Sequence, residues 1–189
     1  MNDKVHILGF AGSLRKDSYN KAILRAAVEL APKEAELETF DLEGIPLFNQ
    51  DLEGSPAAKV RQFKQSIRAA DAILIATPEY NYSMSGVLKN AIDCASRPYG
   101  DNAFDGKCVA IMGASVGTLG TARAQYHLRQ CCVFLNMHPL NQPEVMVPSA
   151  ADKFDAKGNL TDKLARDLIA QLLTGLVAWT RTLASQTRR

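Results

Sequence analysis

Three segments of the chain bring short polar side chains together with residues that free the backbone. The first is Gly12-Ser13-Leu14-Arg15-Lys16-Asp17-Ser18-Tyr19-Asn20. Gly12 permits a sharp turn. Ser13, Ser18 and Asn20 carry small hydrogen-bonding groups, and Arg15 adds a planar charged fork. If a helix starts at the end of this segment, its unpaired N–H groups and the positive end of its dipole join the set. Together they suit a dianionic phosphate monoester. A polar strand-to-helix loop with a capping serine has the same composition, so both readings stand at this point. The segment is not a Walker loop, because G-x-x-x-x-G-K-[ST] is missing. Nor is it the dinucleotide fingerprint, since Gly9 and Gly12 are too far apart for G-x-G. Asp41 could mimic the ribose-binding acid of that fold but reads better as a solvent-facing strand end.

The second segment is Pro78-Glu79-Tyr80-Asn81-Tyr82-Ser83-Met84-Ser85-Gly86. Its tyrosines offer stiff apolar surface, and Asn and backbone amides read ring heteroatoms, so it suits a flat hydrogen-bonding ligand. A turn with two surface tyrosines is the plainer reading. The third is Gly113-Ala114-Ser115-Val116-Gly117-Thr118-Leu119-Gly120, whose three glycines admit a close-lying ligand or simply make a flexible connection. Each segment alone is weak; a composite site follows only if one sheet edge carries all three.

The elements that would do so alternate between two periods. Residues 5–10 are a short apolar run, a buried strand. Ile23, Ala26, Ala27 and Leu30 recur at helical spacing until Pro32 stops them. Residues 37–42 alternate as a second strand. Ser55-Pro56 reads as N-cap and first residue of a helix with Val60, Phe63 and Ile67 on one face. Residues 72–77 and 108–112 are apolar on both faces, as strands of parallel sheets are. Ser85 caps a helix carrying Leu88, Ala91 and Ile92, and another spans residues 121–134. A weak last strand lies at 144–147, and the final helix carries Leu160, Leu164, Leu168, Leu172 and Leu176, then Trp179 and Leu183. Five strands alternating with five helices predict an α/β domain with a parallel sheet, single over residues 1–189. Ligands then bind beyond the carboxyl ends of the strands, where the loops after the first, third and fourth strands lie.

Composition narrows the function. A net charge of +2 with scattered Lys and Arg lacks the footprint of a nucleic-acid binder. Arg188 and Arg189 form a basic pair that reads as a frayed terminus. No run approaches the roughly 20 apolar residues of a membrane span. Cys94, Cys108, Cys131 and Cys132 make no C-x-x-C pair and follow no secretory signal, which predicts a reduced, cytoplasmic setting. His127 and Cys131 share a helix face but lack further metal ligands, and Cys131-Cys132 reads as inert thiols.

Read in order, Gly12-Ser13-Leu14-Arg15 through Ser18-x-Asn20, then Thr77-Pro78-Glu79-Tyr80-Asn81-Tyr82-Ser83, then Leu88-Lys89-Asn90-Ala91-Ile92-Asp93, resemble the NAD(P)H-dependent FMN reductases. Gly120-x-x-Arg123-x-x-Tyr126-His127-Leu128-Arg129-Gln130 is similar to their chromate and quinone reductase branch. The resemblance covers nearly the whole chain. It implies a flavodoxin-like three-layer sandwich with a five-stranded parallel sheet of order 2-1-3-4-5 and FMN at the switch point. By motif, the phosphate falls on Ser13, Arg15, Ser18 and Asn20 and on the backbone of Leu14, Lys16, Asp17 and Tyr19. The ring falls against Pro78, Glu79, Tyr80, Asn81 and Tyr82, with Ser115 and Gly117 at its edge. NADPH or NADH is the implied co-substrate, and a quinone, chromate or similar small molecule the implied acceptor, reached by ping-pong hydride transfer without a side-chain acid or base. A homodimer or homotetramer is implied too, with Arg97, Arg123, Tyr126 and Glu144 as candidates to bond across it. Two positions depart from the family's usual pattern: Cys94 where Trp is frequent and Ser85 where Pro is frequent. A flavodoxin-like electron carrier, which the net charge disfavours, and a fold relative binding another phosphate remain alternatives.

Overall fold

The computed structural model describes residues 4–187. Arg188 and Arg189 therefore lie outside the described residues. The elements run β1 (Val5–Ala11), α1 (Tyr19–Glu29), β2 (Ala35–Phe40), α2 (Ala58–Ala69), β3 (Ala72–Ala76), β4 (Glu79–Tyr80), β5 (Ser83–Met84), α3 (Gly86–Ala95), β6 (Cys108–Ala114), α4 (Ala122–Phe134), β7 (His138–Pro139), β8 (Val145–Val147) and α5 (Lys163–Thr187). Short 3-10 turns fall at Gln50–Leu52 and Ala150–Asp152.

The main sheet has the order β2-β1-β3-β6-β7, every pairing parallel, with β8 also on β6. This is the expected 2-1-3-4-5 arrangement. The fifth position is filled in two pieces. β7 pairs the start of β6 (Cys108↔His138) and β8 pairs its end (Met112↔Val145).

The double-sided burial read from the sequence becomes two distinct cores. Ile7, Leu74, Ala110 and Met112 face α1 and α5, together with Ile23, Leu172 and Leu176. Phe10, Ile73, Ile75 and Ile111 face α2, α3 and α4, together with Phe63, Leu88 and Leu128. The second core is aromatic: Phe63 meets Phe10 edge-on at 5.2 Å and Phe40 at 4.9 Å. Burying each such side chain is worth about 1.5–3 kcal/mol relative to exposure.

Several boundaries differ from expectation. β2 begins at Ala35, two residues earlier than the alternation suggested. α2 begins at Ala58 after Ala57, which makes no side-chain cap bond, so Ser55 is not its N-cap. The approach to α2 is held from elsewhere. Asn90 bonds Pro46 O and Phe48 N–H, and Arg97 pairs with Glu53. Leu160 lies outside α5 and bridges Phe154, and Leu164 is exposed. The helix starts after Asp162, which accepts from Ala165 N–H at 2.9 Å. Its core face is Ala165, Ile169, Leu172, Leu173, Leu176 and Val177, because a strict i+4 row drifts around a 3.6-residue turn. The turn with two surface tyrosines, one reading of residues 78–86, is present, and the two-residue strands β4 and β5 that make it a hairpin are the addition.

Candidate functional site

The three loops leave the carboxyl ends of β1, β3 and β6, neighbours at the centre of the sheet. The chain crosses from β1 outward to β2 on one side and returns to β3 on the other, so the crevice between them is the switch point.

In the first loop, Ser18 caps α1, its Oγ accepting from Asn20 N–H at 3.2 Å and Lys21 N–H at 3.4 Å. Ser13 Oγ accepts from Arg15 N–H at 3.3 Å, which leaves both serine hydroxyl protons to donate. The backbone N–H groups of Leu14, Lys16, Asp17, Ser18 and Tyr19 have no acceptor among the described residues. Arg15 bonds Asp17 O and lies 5.5 Å from the Tyr19 ring centroid. Gly12 serves a different purpose from the expected turn. It continues the ladder through its N–H to Ala76 O, and a Cβ there would sit 2.8 Å from Leu88 Cβ. Ser85 closes that contact by donating to Gly12 O at 2.6 Å while capping α3 at Leu88 N–H. Asn20 is buried, and its amide pairs with both backbone groups of Ala114 at 3.0 Å, tying the first loop to β6.

The second loop is a tight hairpin. Asn81 and Tyr82 both have positive φ, at 49° and 68°, the turn that matches strand twist when its central residues accept left-handed geometry. Asn tolerates this; a tyrosine is strained by it. Tyr80, Asn81 and Tyr82 are exposed. Glu79 points the other way, into α4. Its carboxylate accepts from Arg123 N–H at 3.1 Å and Ala124 N–H at 3.2 Å and pairs with the Arg123 guanidinium. Thr121, at the head of that helix, makes no side-chain cap bond, so Glu79 supplies the cap from another element. Arg123 Cζ lies 3.6 Å from the Tyr82 ring centroid, and His127 Nδ1 is 2.9 Å from Ser83 Oγ.

The third loop's glycines divide. A Cβ on Gly113 would fall 1.9 Å from Thr121 Oγ1, and one on Gly120 2.7 Å from Met146 C, so both are required by the protein's own packing. Gly117 alone faces open space apart from Ser115 Oγ, which accepts its N–H at 3.1 Å. Ser149 and Ala150 N–H groups bond Gly117 O and Ser115 O, fixing the loop from below.

The three tips expose large apolar side chains: Leu14, Tyr80, Tyr82, Val116 and Leu119. Unpaired N–H groups, free serine hydroxyls and an arginine stand at one end of this edge, and stiff aromatic surface at the other. That donor chemistry fits a phosphate monoester joined to a flat heterocycle, as FMN is.

The remaining candidates all have partners within the chain. Arg97 pairs with Glu53 and stacks on Tyr99, and Arg123 pairs with Glu79. The Glu144 carboxylate repels the Tyr126 phenolate and accepts a hydrogen bond from its hydroxyl, which raises the phenol's pKa. Burial pushes the Cys132 thiol up to about 12. No cluster among the described residues could hold a metal ion. Asn90 and Cys94 both reach Pro46 O, so Cys94 sits under the connection from β2 to α2. Ser85 caps α3 as its sequence predicts, whereas its bond to Gly12 O and the pairing of Arg123 with Glu79 had no local signal, because those partners are remote in sequence.

Comparison with known proteins agrees with this geometry. The family model described as NADPH-dependent FMN reductase matches residues 5–152. An NAD(P)H-dependent FMN reductase of Pseudomonas aeruginosa is 57% identical over 185 residues, covering 97% of this chain and 99% of that protein. A 2-hydroxy-1,4-benzoquinone reductase of a Burkholderia species is 45% identical over 170 residues, 90% of this chain and 93% of that one. Among solved structures, the flavoenzyme NAD(P)H:(acceptor) oxidoreductase FerB of Paracoccus denitrificans superposes with a TM-score of 0.86 at 33% identity, covering 94% of this chain and 98% of that one. With the switch-point loops and these relatives together, the chain belongs to the NADPH-dependent FMN reductase family.

Proposed function

We propose that this chain is an FMN-dependent NAD(P)H:acceptor oxidoreductase, working as one FMN-binding domain over residues 1–189. The observation that carries this reading is the pairing on one sheet edge of free N–H donors at the head of α1 with the exposed turn at Asn81 and Tyr82. Bound FMN supplies a centre that accepts hydride from NADPH or NADH and delivers it to the acceptor.

The protein's residues bind and orient. Ser13 and Ser18 would donate hydrogen bonds from their hydroxyls to the phosphate, Arg15 would supply the charge, and the N–H groups of Leu14, Lys16, Asp17, Ser18 and Tyr19 would line it. Asn20 holds this loop to β6 by its amide pair with Ala114. Pro78, Tyr80, Asn81 and Tyr82 present backbone and ring surface to the heterocycle, with Glu79 anchoring them and Ser115 and Gly117 at its edge. Donors along residues 79–82 would offset negative charge on the ring system. No side-chain acid or base is assigned.

A quinone is the favoured acceptor class, supported by the relatives named quinone reductases; chromate is a further acceptor to assay. The assembly is a homodimer or homotetramer. With its four polar candidates paired internally, the contact rests on the exposed apolar residues Val133 and Phe134 of α4 with Leu47 and Leu52. The free cysteines, three of them buried, suit the cytoplasm.

The test is a visible spectrum of the purified protein after loading with FMN and removing the excess, then after anaerobic NADPH and NADH. A retained flavin spectrum that bleaches supports the reductase and shows the preferred nicotinamide. Retained flavin that stays oxidised indicates a carrier, and no retained flavin withdraws the function. Parallel double-reciprocal plots are expected; intersecting lines overturn the shuttle between alternating substrates. Light scattering at micromolar concentration reads the assembly, and a monomer removes that assignment.

A further inference from the structure

The turn at Asn81 and Tyr82 is not self-supporting. Both central residues sit at positive φ, a conformation that disfavours a tyrosine. Nothing in residues 79–84 offsets this locally, since each strand of the hairpin is two residues long. What holds it lies on α4. Arg123 covers the Tyr82 ring, His127 meets Ser83, and Glu79 fixes Arg123 while accepting two N–H groups from the helix's first turn.

The same contact places a carboxylate one residue from the exposed turn. The Glu79 side chain is 7% exposed, so solvent screens it little. An uncompensated carboxylate there would oppose negative charge building on a ligand held by the turn. The Arg123 guanidinium and the positive end of α4 offset it.

We propose that Glu79 and Arg123 are paired positioning residues that lock the turn at Asn81 and Tyr82 against FMN and, through their balanced charges, set the reduction potential of the bound cofactor. The proposal rests on the FMN reading above. It separates two properties, because the lock needs the shape of both side chains while the potential needs only their charges.

The experiment reconstitutes the full chain and the variants Glu79→Gln, Arg123→Met and Arg123→Lys with FMN. It measures FMN affinity by fluorescence quenching, midpoint potential by reductive titration against an equilibrating dye, and kcat and KM separately. Glu79→Gln leaves Arg123 and the helix end unopposed, so the potential rises. Arg123→Met leaves the carboxylate less opposed, so the potential falls. Arg123→Lys keeps the charge but loses the planar fork and stack, so the potential stays at the parent value while FMN affinity drops about tenfold. Potentials that move in the same direction in the first two variants, or not at all, overturn the proposal even if FMN binding weakens. If Glu79→Gln does not fold, equal potentials in Arg123→Met and Arg123→Lys overturn it. A parent protein that retains no FMN overturns the functional reading and this proposal together; one that retains FMN while the variants fail the pattern overturns this proposal alone.

Discussion

The first loop and the β4–β5 hairpin stand on the same sheet edge and are built in opposite ways. Residues 14–17 are exposed, and the N–H groups of Leu14, Lys16 and Asp17 have no partner among the described residues. In the hairpin, Glu79, Tyr82 and Ser83 all make contacts to α4. An anion is gripped by donors that the protein leaves unpaired, so the loop needs only a firm base, which Ser18 and Asn20 provide. A flat ring offers few directional contacts. Its support must therefore be held by groups that never touch it.

The largest blow to the clamped side is Gly113→Ala. Its Cβ meets Thr121 Oγ1 at 1.9 Å and Thr77 O at 2.5 Å, at the foot of α4. We expect a loss of about 3 kcal/mol or more, seen as a lower melting temperature of the FMN-free protein, with FMN binding failing in proportion. Gly117→Ala in the same loop faces open space and should leave the melting temperature unchanged. Equal effects of the two would erase the distinction between packed and ligand-facing glycines.

Arg15→Ala tests the open side. Arg15 is exposed, so FMN-free stability should hold while FMN affinity falls by about 1.5–3 kcal/mol, roughly tenfold to a hundredfold, in calorimetric titration. A matching loss of stability would show that this loop, too, is over-determined. Ser18→Ala lies between the two regimes. Losing the cap bonds to Asn20 and Lys21 N–H should lower stability by about 1 kcal/mol, and FMN affinity should fall as well.

The smallest expected effect is a control at the opposite edge of the sheet. The Asp101 carboxylate sits below the usual carboxylate range, chiefly because Lys64 donates to it. Its folded pKa is depressed, so its stabilising contribution is full above about pH 4 and disappears as pH falls through the folded value. Asp101→Asn should flatten acid unfolding in that window, with no change in FMN affinity at pH 7. A shift in affinity would mean that the two sheet edges are not independent.

How much of this could be read beforehand follows from where each signal resides. β3 and β6 were legible because strands buried on both faces are continuous apolar runs, Ala72–Ala76 and Cys108–Ala114. The cap at Ser85 was legible because its donor, Leu88 N–H, lies three residues on. The hairpin was not, since two-residue strands carry no period and the Glu79 partner Arg123 lies 44 residues away. Asn20 reads from its loop as a phosphate ligand, yet its amide finds Ala114, 94 residues on. Ser55-Pro56 has the local form of a helix start, but α2 starts at Ala58, after a loop that Asn90 and Arg97 hold from remote positions in the chain.

By itself, then, the sequence determined the α/β class and the three loops that carry donors and aromatic surface, because burial and capping are written in neighbouring residues; the order of the strands was implied only by the family resemblance. The tertiary structure decided which glycines serve packing, which way Glu79 points and what holds a strained tyrosine at the surface. Those outcomes depend on contacts between segments far apart in the chain, and no local pattern encodes them.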